Sequence, residues 1–157
     1  MKNFEIEHQG KKYWVSRSCA VSAFVKGFDK NGDEYVLAIT RGKASPDNIG
    51  KKCVPCGYLD GDETLLDCVV REVFEETGLK INKDKFEYIE FSDDLSNNYQ
   101  NISFRYKTVI LSIEKNIPYI TNIEENEVDE VKWIKLDDIE KYDWAFNHLE
   151  LIKTYIC

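Results

Sequence analysis

Apolar positions recur along the chain with two different periods, and the switches between them mark its elements. Ser18-Cys19-Ala20-Val21-Ser22-Ala23-Phe24-Val25 is strand-like, and so is Asp33-Glu34-Tyr35-Val36-Leu37-Ala38-Ile39-Thr40. The stretch between them centres on Asn31-Gly32 and reads as the turn of a hairpin. Over residues 64–77 the period becomes helical. Leu65, Leu66, Val69, Val70 and Val73 follow at spacings of three and four, which lays one apolar stripe along a helix. Asp62 or Thr64 is placed to cap its start, and Gly78 is the left-handed stop, with Leu79 folding back. Further strands are predicted at residues 86–91, 100–113 and 131–134. The middle one alternates Ile102, Phe104 and Tyr106 with Ser103, Arg105 and Lys107. Residues 136–142 and 144–155 read as helices. The order strands, helix, strands, helix predicts an α/β chain of the α+β kind, with an antiparallel or mixed sheet packed by helices.

No linker, repeat or low-complexity tract breaks this order, so residues 1–157 read as a single domain. The 21 basic and 29 acidic residues give a net charge of −8. That balance disfavours a long nucleic acid as partner, because binding a polyanion needs a basic face. Small anions carried by a divalent metal stay open. No apolar run is long enough to span a membrane, and Met1-Lys2-Asn3-Phe4-Glu5-Ile6-Glu7 lacks the apolar core of a secretory signal. Cys19, Cys53, Cys56, Cys68 and Cys157 form an odd set in a chain that needs no staples, which fits reduced thiols and a cytoplasmic location.

Candidate chemistry concentrates on the first helix. Asp60, Asp62, Glu63, Asp67, Glu72, Glu75 and Glu76 face a single basic residue, Arg71, in residues 57–79. At about 100° per residue, Glu72, Glu75 and Glu76 share an arc beside the apolar stripe. Like charges four residues apart repel, so a compensating cation is expected, and Mg²⁺ suits carboxylates combined with water and phosphate oxygens. Arg71, four residues before Glu75, is placed to orient a carboxylate.

The spacing Gly57, five residues, Glu63, seven residues, then Arg71-Glu72-Val73-Phe74-Glu75-Glu76-Thr77-Gly78-Leu79 resembles the Nudix box at every defining position. The hairpin before it, the Trp133 strand after it and the closing helix suit that family. The resemblance implies a mixed sheet between helices and hydrolysis of the diphosphate bond in a nucleoside diphosphate linked to another group, such as ADP-ribose or a sugar nucleotide. It implies Glu72, Glu75 and Glu76 as metal ligands for Mg²⁺, with Mn²⁺ as a substitute, and Arg71 as the residue orienting them. Gly57, Glu63 and Gly78 would shape the loops of the box. Glu76 is the first choice of general base, and Glu127, in the acidic run before the Trp133 strand, is an alternative base or ligand. For the substrate, Arg41 and Lys52 in the basic loop and Arg105 on the long strand are the candidate phosphate contacts. Tyr13, Trp14, Tyr99 and Trp144 are the candidate faces for a base.

Two other functions compete. A pyrophosphatase of modified nucleoside triphosphates needs no motif beyond the box. A non-catalytic domain that senses nucleotide sugars commonly loses box glutamates and carries a DNA-binding extension, whereas the box here is complete. Cys53-Val54-Pro55-Cys56 departs from the family pattern by placing Cys56 where relatives show glycine. Half a zinc site is the rival account of that pair, with no second pair in the sequence to complete it. His148 is read as filling the edge of the core. A homodimer, if formed, is expected to pair through the apolar first strands.

Overall fold

The computed structural model describes residues 2–95, 100–113 and 127–157. Its elements in chain order are β1 (Phe4–His8), β2 (Lys11–Val15), β3 (Ser18–Phe28), β4 (Glu34–Arg41), β5 (Lys52–Cys53), β6 (Cys56–Tyr58), α1 (Leu65–Thr77), β7 (Glu87–Ser92), β8 (Asn101–Ile110), β9 (Val128–Lys135) and α2 (His148–Tyr155). Among the described residues, β1 and β2 pair only with each other. The remaining strands form one mixed sheet, ordered β5-β4-β3-β8-β7, with β6 also on β3 and β9 also on β4.

The predicted hairpin is present, and its turn shows why. Gly32 takes φ 80°, and the Asp29 carboxylate accepts hydrogen bonds from the backbone of Asn31 at 2.8 Å and Asp33 at 3.1 Å. The pairing lasts only from Phe28↔Glu34 to Lys26↔Val36. Beyond it the strands splay. β3 then runs parallel to β8 along its whole length, and β4 pairs antiparallel with β9. Both strands therefore have hydrogen-bonding neighbours on each side within the sheet.

Each face of the sheet is sealed by one helix. Val21, Ala23 and Val25 of β3, with Tyr35 and Leu37 of β4, meet Cys68, Val69 and Val73 of α1. The alternate residues Phe24, Val36 and Ala38 meet Ile152 and Ile156 at the end of the chain. Because both faces are covered, polar residues on the sheet are buried as well, Arg105 among them.

Two predicted elements differ from the structure, and one observed element was not predicted. The helix expected over residues 144–155 begins only at His148. Asp143 and Ala145 bond to the backbone of Lys52 instead, with Lys52 N donating to Asp143 O at 2.8 Å and Ala145 N to Lys52 O at 2.7 Å. Extended pairing thus takes the hydrogen bonds that a helical turn would need. The helix expected over residues 136–142 is a short 3₁₀ segment, Leu136–Lys141. The β1–β2 hairpin was not anticipated, although Gln9-Gly10, both at positive φ, is a turn signal between two alternating runs.

Candidate active site

Helix α1 is fixed at both ends by residues outside its apolar stripe. Thr64 is the N-cap: its hydroxyl accepts from Asp67 N at 3.2 Å, and the Asp67 carboxylate accepts from Thr64 N at 3.3 Å, a reciprocal capping box. Gly78 closes the helix at φ 74°, donating to Phe74 O at 2.7 Å. With both ends set, Arg71 and the glutamates face the β6 strand.

Arg71 is the hub. Its Nε and Nη2 donate to the two oxygens of Glu63 at 3.0 and 2.6 Å, and Nη1 donates to Glu72 Oε1 and Glu75 Oε2, each at 2.8 Å. Nη2 also donates to the Tyr58 carbonyl at 2.9 Å, tying helix to loop. Glu63 pays back this fork by being the firmest anion of the set. Arg71, helped by the Asp60 amide at 2.9 Å, holds its pKa at about 2 against the opposing effect of burial.

Glu72 differs. It is buried, and its carboxylate lies against Gly57, where a Cβ would come within 2.1 Å of Oε1. Burial pushes its pKa up to about 7, with Arg71 opposing and Glu75 and Glu63 adding to the rise. Glu76 accepts the Cys56 amide at 2.9 Å, and its pKa is raised well above the ordinary range by burial, then by Cys56 and Glu72. Glu75 is the most open of the three, its side chain 47% exposed. Three carboxylates thus gather around one arginine and the Cys56–Gly57 backbone, and two of them are held unfavourably as anions.

Among the described residues, no three His, Cys, Asp or Glu side chains converge ready to hold a metal ion. The donor chemistry nonetheless fits a hard divalent cation. All three groups are carboxylates, Glu72 and Glu75 share a single guanidinium nitrogen, and burial leaves Glu72 and Glu76 short of positive charge. Cys53 and Cys56, the pair also read as half a zinc site, pack in one cluster with Ile39, Val128 and Ala145. The neighbouring Cys53, together with burial, pushes the Cys56 thiol up.

The other sequence candidates divide by sheet face. Arg41 pairs across strands with Val128, on the side where Ile39 and Cys53 cluster. It is nearly buried, donates to Asp47 O and Oδ1 at 3.0 Å each, lies against Cys53, and helps stabilise the Glu76 anion. Lys52 lies on the opposite face, in a cross-strand row with Thr40 and Glu130, and bonds to both of those side chains. Arg105 also faces away, in a row with Ser22 and Glu90, and pairs with the Glu90 carboxylate. Expected as phosphate contacts, Lys52 and Arg105 are instead buried partners of carboxylates, because the sheet alternation turns them toward α2. Arg41 alone of the three joins the carboxylate side.

Glu127 sits beside the loop after Arg41, its carbonyl accepting from Gly42 N at 2.7 Å. Tyr99 lies outside the described residues. Trp144 is buried with its Nε1 donating to Ile139 O at 2.8 Å, so it is a core residue rather than a base platform, and Tyr13 and Trp14 stand on the separate hairpin. His148 is buried as expected. Its Nδ1 accepts from Val54 N at 3.2 Å, and burial, with Arg41 and Arg105 adding, lowers its pKa to about 3. Sequence reasoning did not single out Phe146. Its signal is a backbone angle, which residue type does not reveal.

A family model for the NUDIX domain matches residues 17–155. No curated protein gives a significant match. Among solved structures, the NUDIX domain of Shewanella oneidensis NrtR, crystallised with ADP ribose, superposes with a TM-score of 0.73 at 22% identity, covering 88% of this chain and 86% of that one. A MutT/nudix family protein from Enterococcus faecalis gives 0.67 at 20% identity, covering 89% and 61%. A bifunctional NMN adenylyltransferase/ADP ribose pyrophosphatase from Francisella tularensis, complexed with AMP and a manganese ion, gives 0.66 at 24% identity, covering 88% and 41%. At these identities the likeness is one of fold, and the chain spans 61% of the Enterococcus protein and 41% of the Francisella protein.

Proposed function

The chain belongs to the Nudix family, and on that premise we propose that it is a divalent-metal-dependent hydrolase cleaving the diphosphate bond of a nucleoside diphosphate linked to another group. The observation that carries this reading is the Arg71 hub, which gathers Glu63, Glu72 and Glu75 beside Glu76 and against a glycine that leaves room for a carboxylate. ADP-ribose and sugar nucleotides are the first substrates to consider, since a fold neighbour was crystallised with ADP ribose.

In this reading Glu72, Glu75 and Glu76 hold Mg²⁺, with Mn²⁺ as a substitute. The bound cation supplies charge neutralisation and polarisation at the diphosphate oxygens. The chain's own residues do the rest. Arg71 sets the rotamers of Glu72 and Glu75 and anchors the box loop through Glu63 and the Tyr58 carbonyl. Gly57 lets the loop backbone approach Glu72. Glu76, whose proton affinity burial raises, accepts a proton from the attacking water, and the Cys56 amide holds its carboxylate in place. Arg41 adds positive charge on the same side.

A non-catalytic sensor is the second reading, favoured by the NrtR likeness, because NrtR was also crystallised with a 27mer DNA. The complete carboxylate set weighs toward hydrolysis. The test is a panel of ADP-ribose, sugar nucleotides, dinucleoside polyphosphates, and normal and oxidised nucleoside triphosphates with Mg²⁺ or Mn²⁺. Metal-dependent release of a nucleoside monophosphate, lost in Glu76→Gln, supports the hydrolase. Release of pyrophosphate from an oxidised triphosphate points to the modified-nucleotide alternative. Nucleotide binding without turnover favours the sensor.

A further inference from the structure

Among the described residues, three non-glycine residues adopt a left-handed backbone: Gln9 at φ 51°, Asn48 at 52° and Phe146 at 56°. Gln9 and Asn48 sit in turns shared with Gly10 and Gly50, which are also at positive φ, and asparagine tolerates that region. Phe146 has no such excuse. A bulky aromatic there is strained and persists only where its surroundings over-determine it.

Those surroundings are visible on both sides. Asp143 and Ala145 are bonded to the Lys52 backbone, and His148 N donates to Ala145 O at 3.3 Å while its ring accepts from Val54. Pinned before and after, Phe146 projects outward. It is 50% exposed, whereas Trp144, Ala145 and His148 beside it are buried. The Arg41 guanidinium lies 5.1 Å from the centre of its ring, and the His148 ring packs at 5.2 Å. Arg41 stands on β4, which pairs with the Cys53 strand; Cys56 packs against the Cys53 cluster, and its amide holds Glu76. Neighbouring strands and one backbone hydrogen bond thus link the exposed ring to the carboxylate cluster. The other open aromatics are placed differently. Phe4, Tyr13 and Trp14 stand on the separate hairpin, Phe91 and Tyr88 on the edge strand β7, the Phe74 ring on α1 is faced by the Lys80 ammonium at 5.4 Å, and the Tyr58 hydroxyl is engaged by Asn101 at 3.2 Å.

We propose that Phe146 is the stacking surface for the nucleobase of the nucleotide substrate, with Arg41 fixing the ring beside the carboxylates. The inference rests on the hydrolase reading and names the residue that recognises the base. A flat exposed ring, strained into place and held by a guanidinium, suits a flat π-system and offers nothing to a sugar hydroxyl.

The test compares AMP with ribose 5-phosphate, which lacks the base, as calorimetric ligands in Mg²⁺ for the wild type, Phe146→Gly, Phe146→Asn and Phe146→Tyr. Glycine and asparagine both accept positive φ, so each removes the ring without adding backbone strain, and either suffices if the other folds poorly. Base–aromatic stacking corresponds to a preference of about 5- to 150-fold. The wild type is expected to prefer AMP within that range, Phe146→Tyr to keep the preference, and both non-aromatic variants to lose it, with unchanged ribose 5-phosphate affinity. A raised KM with little change in kcat should accompany the loss. A wild type that hydrolyses its substrate, and whose AMP preference survives in the non-aromatic variants, overturns this inference alone. A wild type that binds neither compound and turns over nothing overturns the hydrolase reading with it.

Discussion

At the scale of single residues, the site works through pairs with opposite electrostatic fates on one arginine. Glu63 is held as an anion near a pKa of 2, while Glu72, bonded to the same guanidinium, is lifted by burial to about 7. Glu76 is lifted as well, chiefly by burial, which strengthens it as a proton acceptor. Glu76→Gln is therefore expected to lower kcat by about 10² or more, and to leave the melting temperature equal or higher, because the amide still accepts the Cys56 N–H and no buried charge remains. Steady-state rates beside thermal unfolding check this, and near-normal turnover would remove Glu76 from the chemistry. Gly57 and Cys56 make a second pair. Gly57→Ala drives a methyl into the Glu72 carboxylate, and misplacing that group by about 1 Å is expected to reduce kcat/KM by about 10². Cys56→Gly should be tolerated, since Cys56 serves Glu76 through its backbone amide. A larger loss in Cys56→Gly than in Gly57→Ala would reverse this ranking.

At the scale of elements, helix α1 shows what a sequence can disclose. Its stripe, its Thr64 cap and its Gly78 stop are local rules, and the structure follows each of them. Thr64→Ala removes the acceptor for Asp67 N and is expected to cost about 1 kcal/mol in denaturant unfolding, against little change for an exposed threonine such as Thr154. The misreadings share another cause. Residues 144–147 carry helical spacing, yet the backbone of Lys52, distant in sequence, captures Asp143 and Ala145. Lys52 and Arg105 look like phosphate contacts until strand pairing fixes which face they occupy and seats each against a carboxylate from another strand. The Nudix box was legible because its chemistry lies within one loop and one helix. Phe146 was not, because its conformation is set by contacts made across the sheet.

At the scale of the whole molecule, the buried titratable groups combine into a pH profile whose sign can be worked out. His148 has a folded pKa of about 3 against an ordinary 6.5, so as pH falls through that window only the unfolded chain takes up its proton. Stability then falls by up to about 1.4 kcal/mol per pH unit. Glu63, near 2 when folded and 4.5 ordinarily, acts in the same direction below pH 4.5. Glu72 acts in reverse. With a folded pKa of about 7, it binds a proton in the native state first and adds stability as pH falls from 7 toward 4.5, and Glu76 does likewise. Without metal, His148 and Glu72 therefore offset each other over most of the range from pH 6.5 to 4.5. With Glu76 acting beside Glu72, the expected profile rises as pH falls through that range, and drops below pH 4.5, where His148 and Glu63 act together. His148→Asn keeps an acceptor for the Val54 amide and removes the titration, so its stability should fall less steeply in acid than that of the wild type, whatever its offset at pH 7. Urea unfolding from pH 7.5 to 3.5 in the presence of a chelator measures both slopes. Parallel slopes would mean that His148 titrates in the folded protein much as it does in the unfolded chain. The buried ring that anchors Val54 beside the Cys53–Cys56 loop would then not be the neutral acceptor that couples the core to the carboxylate site.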